Sequence, residues 1–245
     1  MSVDNGENIV FITGVRRGIG RAVAVDLAGR GWSIVGCSIH REGLSELSAE
    51  LEERGAPRVW LNNADVSVYD DIGEWVIKGV DNVGVPKVLI HNAAILGPRE
   101  RFLDTSPEEW RSAIDINLNG AFNFLQATGG ACNPEKRALW VWAISSVALR
   151  GRAGWGAYGA SKAGVNNLNE AWAAENEGGG LWTSVAINPG GTRTDMRREA
   201  FPDEDPARLP KPSSVAKAFT AVVEKWERGE LESGSVVEAR DLMDF

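Results

Sequence analysis

The sequence predicts an α/β protein, a single doubly wound parallel β-sheet with helices on both faces. Three observations carry that expectation. Short apolar runs alternate with longer amphipathic stretches along most of the chain. The runs are continuously apolar, as strands covered on both faces must be, and do not alternate with polar residues. The chain of 245 residues also has no internal repeat, low-complexity tract or linker at which it would divide. A sheet covered by helices absorbs that length as one domain over residues 1–245.

In order along the chain, residues 8–13 read as the first strand and 19–30 as the first helix. Residues 32–38 form a second strand, followed by a helical segment over 43–54. Further strands cover 59–63 and 85–91, with a helix over 70–80 between them. Ser106-Pro107-Glu108-Glu109 opens the next helix: Ser106 caps it, Pro107 suits the first turn, and Glu109 completes a capping box. A strand over 139–145, a helix over 157–175 and a strand over 183–187 continue the rhythm. Beyond Pro189 the chain turns irregular and charged until Pro212, and residues 213–228 return to helix. That irregular stretch is too long for a simple connector, so residues 196–212 are expected to form a lid or binding loop.

Composition narrows the function classes. The 26 Lys and Arg against 34 Asp and Glu give a net charge of −8, which disfavours nucleic acid and anionic membrane as partners. No apolar run approaches the roughly 18 residues needed to cross a bilayer. Residues 1–8 are polar and acidic, and the apolar run that follows is too short for a signal peptide. Cys37 and Cys132 form no metal or redox motif, so no metal and a cytoplasmic location are expected. A histidine-based site has only His40 and His91 to draw on.

Thr13-Gly14-Val15-Arg16-Arg17-Gly18-Ile19-Gly20 follows the first strand directly and opens the first helix. Such a turn needs glycine where the backbone takes positive φ and where it must approach a ligand closely. The helix N-terminus then offers free N–H groups and a positive dipole end to a pyrophosphate. The alternative is a tight strand-to-helix turn with nothing bound, but its place in the first βα unit favours a dinucleotide and a Rossmann-type sheet. In NAD-binding proteins an acid at the end of the second strand holds the adenosine ribose. Here Ser38 occupies that place, His40 and Arg41 follow, and Arg16 and Arg17 add charge in the turn. Guanidinium forks suit a 2′-phosphate, so NADP(H) is the expected cofactor and NAD(H) the second reading.

Together these motifs resemble the short-chain dehydrogenase/reductase family in its one-domain branch, with the likeness running from Asn8 to about Met196. Thr13-Gly14 through Gly18-Ile19-Gly20 is similar to the family's phosphate turn, and Asp65-Val66 to the pair that meets the adenine ring. His91-Asn92-Ala93-Ala94 looks like the family's Asn-Asn-Ala-Gly, with His91 and Ala94 departing from it beside the cofactor. Asn117, Ser145-Ser146, Tyr158-x-x-x-Lys162 and Pro189-Gly190 complete the series. The resemblance also matches Thr194, and more weakly Thr192, to the residue that meets the nicotinamide carboxamide.

Tyr158 and Lys162, four residues apart, share a helical face. Carbonyl reduction needs a hydride from the nicotinamide and a proton for the developing alkoxide. A phenol with a pKa near 10 serves as acid–base at neutral pH once a neighbouring ammonium favours its phenolate. The resemblance implies that Tyr158 is this acid–base, that Lys162 also holds the nicotinamide ribose, and that Asn117 supports a proton-passing water. It further implies a serine that fixes the substrate carbonyl, usually 13 residues before the tyrosine and second in such a pair. Ser145 is 13 residues before Tyr158 and Ser146 is 12. Taking the intervening loop as one residue short assigns the role to Ser146.

Ten tryptophans invite a ligand story, but Trp140 and Trp142 on one strand face read more simply as core or subunit interface. The resemblance makes Trp172 an interface candidate in a homodimer or homotetramer. Trp155, with Ile95, Leu149, Met196 and Phe201, is expected to wall an apolar substrate pocket. Two functions remain: an NADPH-dependent oxidoreductase interconverting a small carbonyl compound and its alcohol, or a dinucleotide-binding sensor or scaffold without turnover. Asn117, Ser146, Tyr158 and Lys162 together favour the enzyme.

Overall fold

In the computed structural model, which describes residues 8–177 and 181–243, one sheet runs through the whole chain. Its strands are β1 (Ile9–Thr13), β2 (Ser33–Ser38), β3 (Val59–Asn63), β4 (Val88–His91), β5 (Ala138–Ala143), β6 (Trp182–Asn188) and β7 (Val236–Glu238). They lie in the order β3-β2-β1-β4-β5-β6-β7, and every neighbouring pair is parallel. The expected doubly wound parallel sheet is present.

Parallel strands need crossovers, and the helices supply them. They are α1 (Gly18–Ala28), α2 (Leu44–Arg54), α3 (Tyr69–Asn82), α4 (Pro107–Ile114), α5 (Gly120–Ala131), α6 (Ser146–Leu149), α7 (Gly156–Glu175), α8 (Asp195–Ala200) and α9 (Pro212–Glu227). Alternate residues of each strand feed opposite faces. Val10 and Ile12 of β1 pack with Leu27 of α1, Leu47 of α2 and Phe219 of α9, while Phe11 packs with Trp75 of α3, Phe124 of α5 and Val165 of α7. The tryptophans Trp140 and Trp142 are core residues. A buried indole N–H needs an acceptor, and Trp140 donates to Thr128 Oγ1 (3.1 Å) while Trp142 donates to Ser184 Oγ (2.8 Å).

Several elements differ from the sequence expectation. β7 was not foreseen: three residues carry little periodic signal, and the strand exists because it pairs with β6 and because Asn188 Nδ2 donates to the Glu238 carboxylate at 2.9–3.0 Å. The stretch after Pro189 is less irregular than expected, since α8 and a tight turn at Pro206–Arg208 lie within it. Ser106 caps α4 as read, accepting from Glu109 N at 3.2 Å. Between α4 and α5 the helix widens into a π-type turn over Asp115–Asn119. The polar N-terminal stretch read over residues 1–8 lies, apart from Asn8, outside the described residues. Among the described residues, no helix is long and apolar enough to cross a membrane. No group of three His, Cys, Asp or Glu among them is placed to hold a metal, and both cysteines are buried and free.

Candidate active site

The sheet reverses its winding between β1 and β4, and the carboxyl ends of those strands open into a cleft of about 340 Å³. A doubly wound sheet binds ligands at this switch point. The phosphate turn folds as the glycines require. Gly14 has φ +74°, and a side chain there would press within 3.0 Å of the Ala93 backbone. Gly20 works differently: a Cβ on it would lie 2.3 Å from Gly14 O, so it lets α1 close onto the turn and does not face the cleft. The first turn of α1 has no side-chain cap and no acidic residue, which leaves its N–H groups and dipole to an anion. This uncapped, glycine-cradled turn fits a dinucleotide diphosphate.

Most of the expected cofactor residues line the one cleft: Gly14, Arg16, Arg17, Gly18, Ile19, Ser38, His40, Asp65, Val66, Asn92, Ala93, Ala94, Tyr158, Lys162, Pro189 and Thr194. Cys37, Ile39, Ala64, Ile116, Ala143, Ile144 and Asp195 also line it and were not singled out in the sequence. No acid stands beside Ser38 at the end of β2. Arg17 Nη1 donates to Asp195 Oδ2 at 3.3 Å, which ties the phosphate turn to the start of α8.

Four expected residues turn elsewhere. Arg41 donates to Asn62 Oδ1 (3.0 Å) and Asn63 Oδ1 (3.2 Å), over edge strand β3 and outside the cleft. Gly190 N–H donates to Asn188 Oδ1 (3.1 Å), and the Thr192 hydroxyl turns back on the Pro189 and Gly190 carbonyls (3.4 Å each). Gly20 is the packing glycine described above.

Tyr158 and Lys162 stand side by side on α7, with Lys162 Nζ 5.9 Å from the Tyr158 ring centroid. Lys162 is buried and donates to Ala143 O at 2.7 Å. Burial pulls its pKa down to about 8, so the ammonium still dominates at neutral pH. The expected lowering of the Tyr158 pKa is not what the environment produces. Burial of the phenol pushes it up to about 12, and a hydrogen bond from Ser145 opposes that rise. The side chain that acts on the Tyr158 phenol is that of Ser145, whereas Ser146 begins α6, where its carbonyl accepts from Arg150 N. Asn117 is fully buried in the π-type turn, where such widening often marks a functional position. Its Oδ1 accepts from Ile95 N (2.8 Å), and its Nδ2 donates to Ile95 O (2.9 Å) and Ser161 Oγ (3.1 Å). These bonds fasten the β4 loop to α7; Asn117 does not itself line the cleft.

His91 forms the floor beneath the turn. Thr13 Oγ1 accepts from Asn92 N and Ala93 N (3.1 Å each), so its own proton goes to His91 Nδ1 at 3.2 Å. That fixes the Nε2–H tautomer, and Nε2 is buried without a partner. Burial, aided by the Lys162 charge, drives the His91 pKa from 6.5 down to about 3. The unfolded chain then binds the extra proton between those two pH values, so this histidine's contribution to stability falls as pH drops through that window. Denaturant unfolding at stepped pH should show a flatter acid limb in His91→Asn than in the wild type between pH 6.5 and 3, a difference on the order of several kcal/mol. Parallel limbs would mean that the imidazole is not buried neutral.

The substrate side of Tyr158 is apolar. Leu96, Val147 and Tyr158 pack together with Trp155, Met196 and Ala200. Ile95 and Met196 line the cleft as expected, and Trp155 lies beside the catalytic candidate with its ring 5.8 Å from Tyr158. Leu149 does not join them: it is 53% exposed on the outside of α6.

The chain is similar to known proteins over most of its length. The family model described as short chain dehydrogenase matches residues 8–205. An uncharacterized oxidoreductase, YciK, of Escherichia coli (strain K12) is 30% identical over 216 residues, covering 87% of this chain and 84% of that protein. An NADPH-dependent pterin aldehyde reductase of Arabidopsis thaliana is 32% identical over 192 residues, 78% of each chain. Among solved structures, one from Escherichia coli CFT073 complexed with NADPH is similar at a TM-score of 0.86 and 27% identity, covering 95% of this chain and 96% of that one.

Proposed function

The chain belongs to the short-chain dehydrogenase family, and from that premise we propose that it is an NADPH-dependent oxidoreductase that reduces a ketone or aldehyde to its alcohol. The observation that carries the reading is the placement of Tyr158 and Lys162 in the same cleft as the uncapped glycine turn. Gly14, Gly18 and the first turn of α1 would hold the diphosphate, Asp65 and Val66 the adenine, and Lys162 the nicotinamide ribose. Pro189 and Thr194 would meet the carboxamide.

When bound, NADPH supplies the hydride that the carbonyl carbon accepts. This chain's residues handle the oxygen. The Ser145 hydroxyl holds the carbonyl oxygen, and the Tyr158 phenol gives it a proton as negative charge develops. A phenol held at about 12 keeps its proton at neutral pH, so it is ready as a donor and poorly suited to begin as a base. The Lys162 ammonium stabilises the phenolate left behind, and Asn117 acts as a positioning residue that locks the Ile95 loop against α7.

The preference for NADPH is supported by Ser38 in place of an acid, by Arg16, Arg17 and His40 in the cleft, and by the NADPH named for two similar proteins. The phosphate would have to displace Asp195 from Arg17, a half-exposed pair of small intrinsic worth. Titration followed by nicotinamide fluorescence tests this. The double variant Arg16→Ala/Arg17→Ala should weaken NADPH binding by roughly 10- to 100-fold and NADH much less. Equal loss of both would overturn the 2′-phosphate assignment.

A further inference from the structure

The wall outside Tyr158 is a stack of side chains with one residue at its centre. Trp155 lies 5.8 Å from the Tyr158 ring and 5.7 Å from Phe201. The Arg99 guanidinium lies 3.9 Å from the Trp155 ring centroid and 5.2 Å from that of Phe201. On Phe201 a second guanidinium, that of Arg197, sits at 3.8 Å. Arg197 is held by a two-bond fork on Glu204 (2.6 and 2.7 Å), whereas Arg99 has no ion-pair partner among the described residues. Its bonds go to backbone: Nε donates to Gly154 O (3.1 Å) and Nη1 to Ala200 O (2.7 Å). Arg99 thus ties three segments distant in sequence, namely its own loop after β4, the loop before α7 and the C-terminal end of α8.

We propose that Arg99 is a specificity-determining residue whose clasp on Gly154 and Ala200 holds Trp155 and Phe201 as a wall beside Tyr158, limiting the substrate to compact, apolar carbonyl compounds. The inference rests on the reading of Tyr158 as the proton donor. Three features support the proposal. Tyr158 is only 8% exposed and is packed among Leu96, Val147, Trp155, Met196 and Ala200. Those neighbours are apolar, so a charged or strongly polar substrate body would be desolvated without partners. The clasp also needs arginine: a planar fork stacks on a ring while donating along its edge to two carbonyls, which a lysine ammonium does not reproduce.

The test uses the full chain with NADPH and a series of cyclic ketones from one ring to three. In Arg99→Ala, kcat/KM for two-ring ketones relative to one-ring ketones should rise by roughly 10- to 100-fold, the range a pocket wall commands. Trp155→Ala should move the ratio the same way, and Arg99→Lys should not restore the wild-type value. Hydrogen–deuterium exchange supplies an activity-free measure: amides of α8 and of residues 150–155 should exchange faster in Arg99→Ala. An unchanged ratio, or unchanged exchange, overturns the clasp. Faster exchange in Arg99→Ala beside a wild type that reduces no ketone of the series keeps the clasp but overturns the compact-carbonyl assignment. The Tyr158 reading fails by a different sign, wild-type-like turnover in Tyr158→Phe.

Discussion

Tyr158→Phe should lower turnover by about 10³-fold while leaving NADPH affinity within a few-fold of wild type. The substitution removes one oxygen and keeps the ring that packs against Leu96, Val147 and Trp155, so the fold and the wall beside it survive. What disappears is the only phenol in the cleft; Tyr69, the other tyrosine, is exposed at the start of α3. The proton that the alkoxide needs then has no donor of comparable placement. Lys162 is tied to Ala143 O and lies beyond the phenol ring, and the Ser145 hydroxyl would become an anion of far higher energy. Single-turnover mixing of enzyme, NADPH and a reducible ketone, read at the nicotinamide absorbance, separates this loss from a change in binding. A Tyr158→Phe enzyme within tenfold of wild type would overturn the proposed chemistry.

The fold was almost wholly legible because parallel strands buried on both faces leave a continuous apolar signature, as in residues 9–12 and 138–143. The phosphate turn was legible for a backbone reason: only glycine accepts φ +74° at position 14 or survives the 2.3 Å approach at position 20. Direction of side chains was not legible. Arg41 follows Ser38 closely in sequence, yet two asparagines at the end of β3 draw it over the sheet edge. No local pattern announces such a partner, since Asn62 and Asn63 are 21 and 22 residues away. Arg99 left no trace for the same reason, because its acceptors at Gly154 and Ala200 are 55 and 101 residues distant. The Tyr158 pKa went the other way from expectation because spacing on a helix reports proximity to Lys162 but not the depth of burial, and burial wins here.

Ser145→Ala should reduce kcat by roughly 10²-fold, the loss seen when one preorganised donor to a developing oxyanion is removed, whereas Ser146→Ala should stay near wild type. The distinction turns on where β5 ends. Ser145 is extended, with φ −158° and ψ 158°, and its hydroxyl reaches Tyr158. Ser146 has already entered α6, whose first carbonyl is committed to Arg150 N. A loop one residue short would have advanced Ser146 into the strand-end position. The loop instead contains α6 and the turn at Arg152–Trp155, closed by Trp155 N donating to Arg152 O at 3.2 Å, and the extended position just beyond β5 stays with Ser145, 13 residues before Tyr158. Both variants remove a hydroxyl from a half-buried position, so a difference between them reports the site and not general stability. NADPH affinity should be unchanged in each, because neither serine lines the cleft that receives it. A larger loss of kcat in Ser146→Ala would return the role to Ser146 and require the strand end to shift by one residue in the working enzyme.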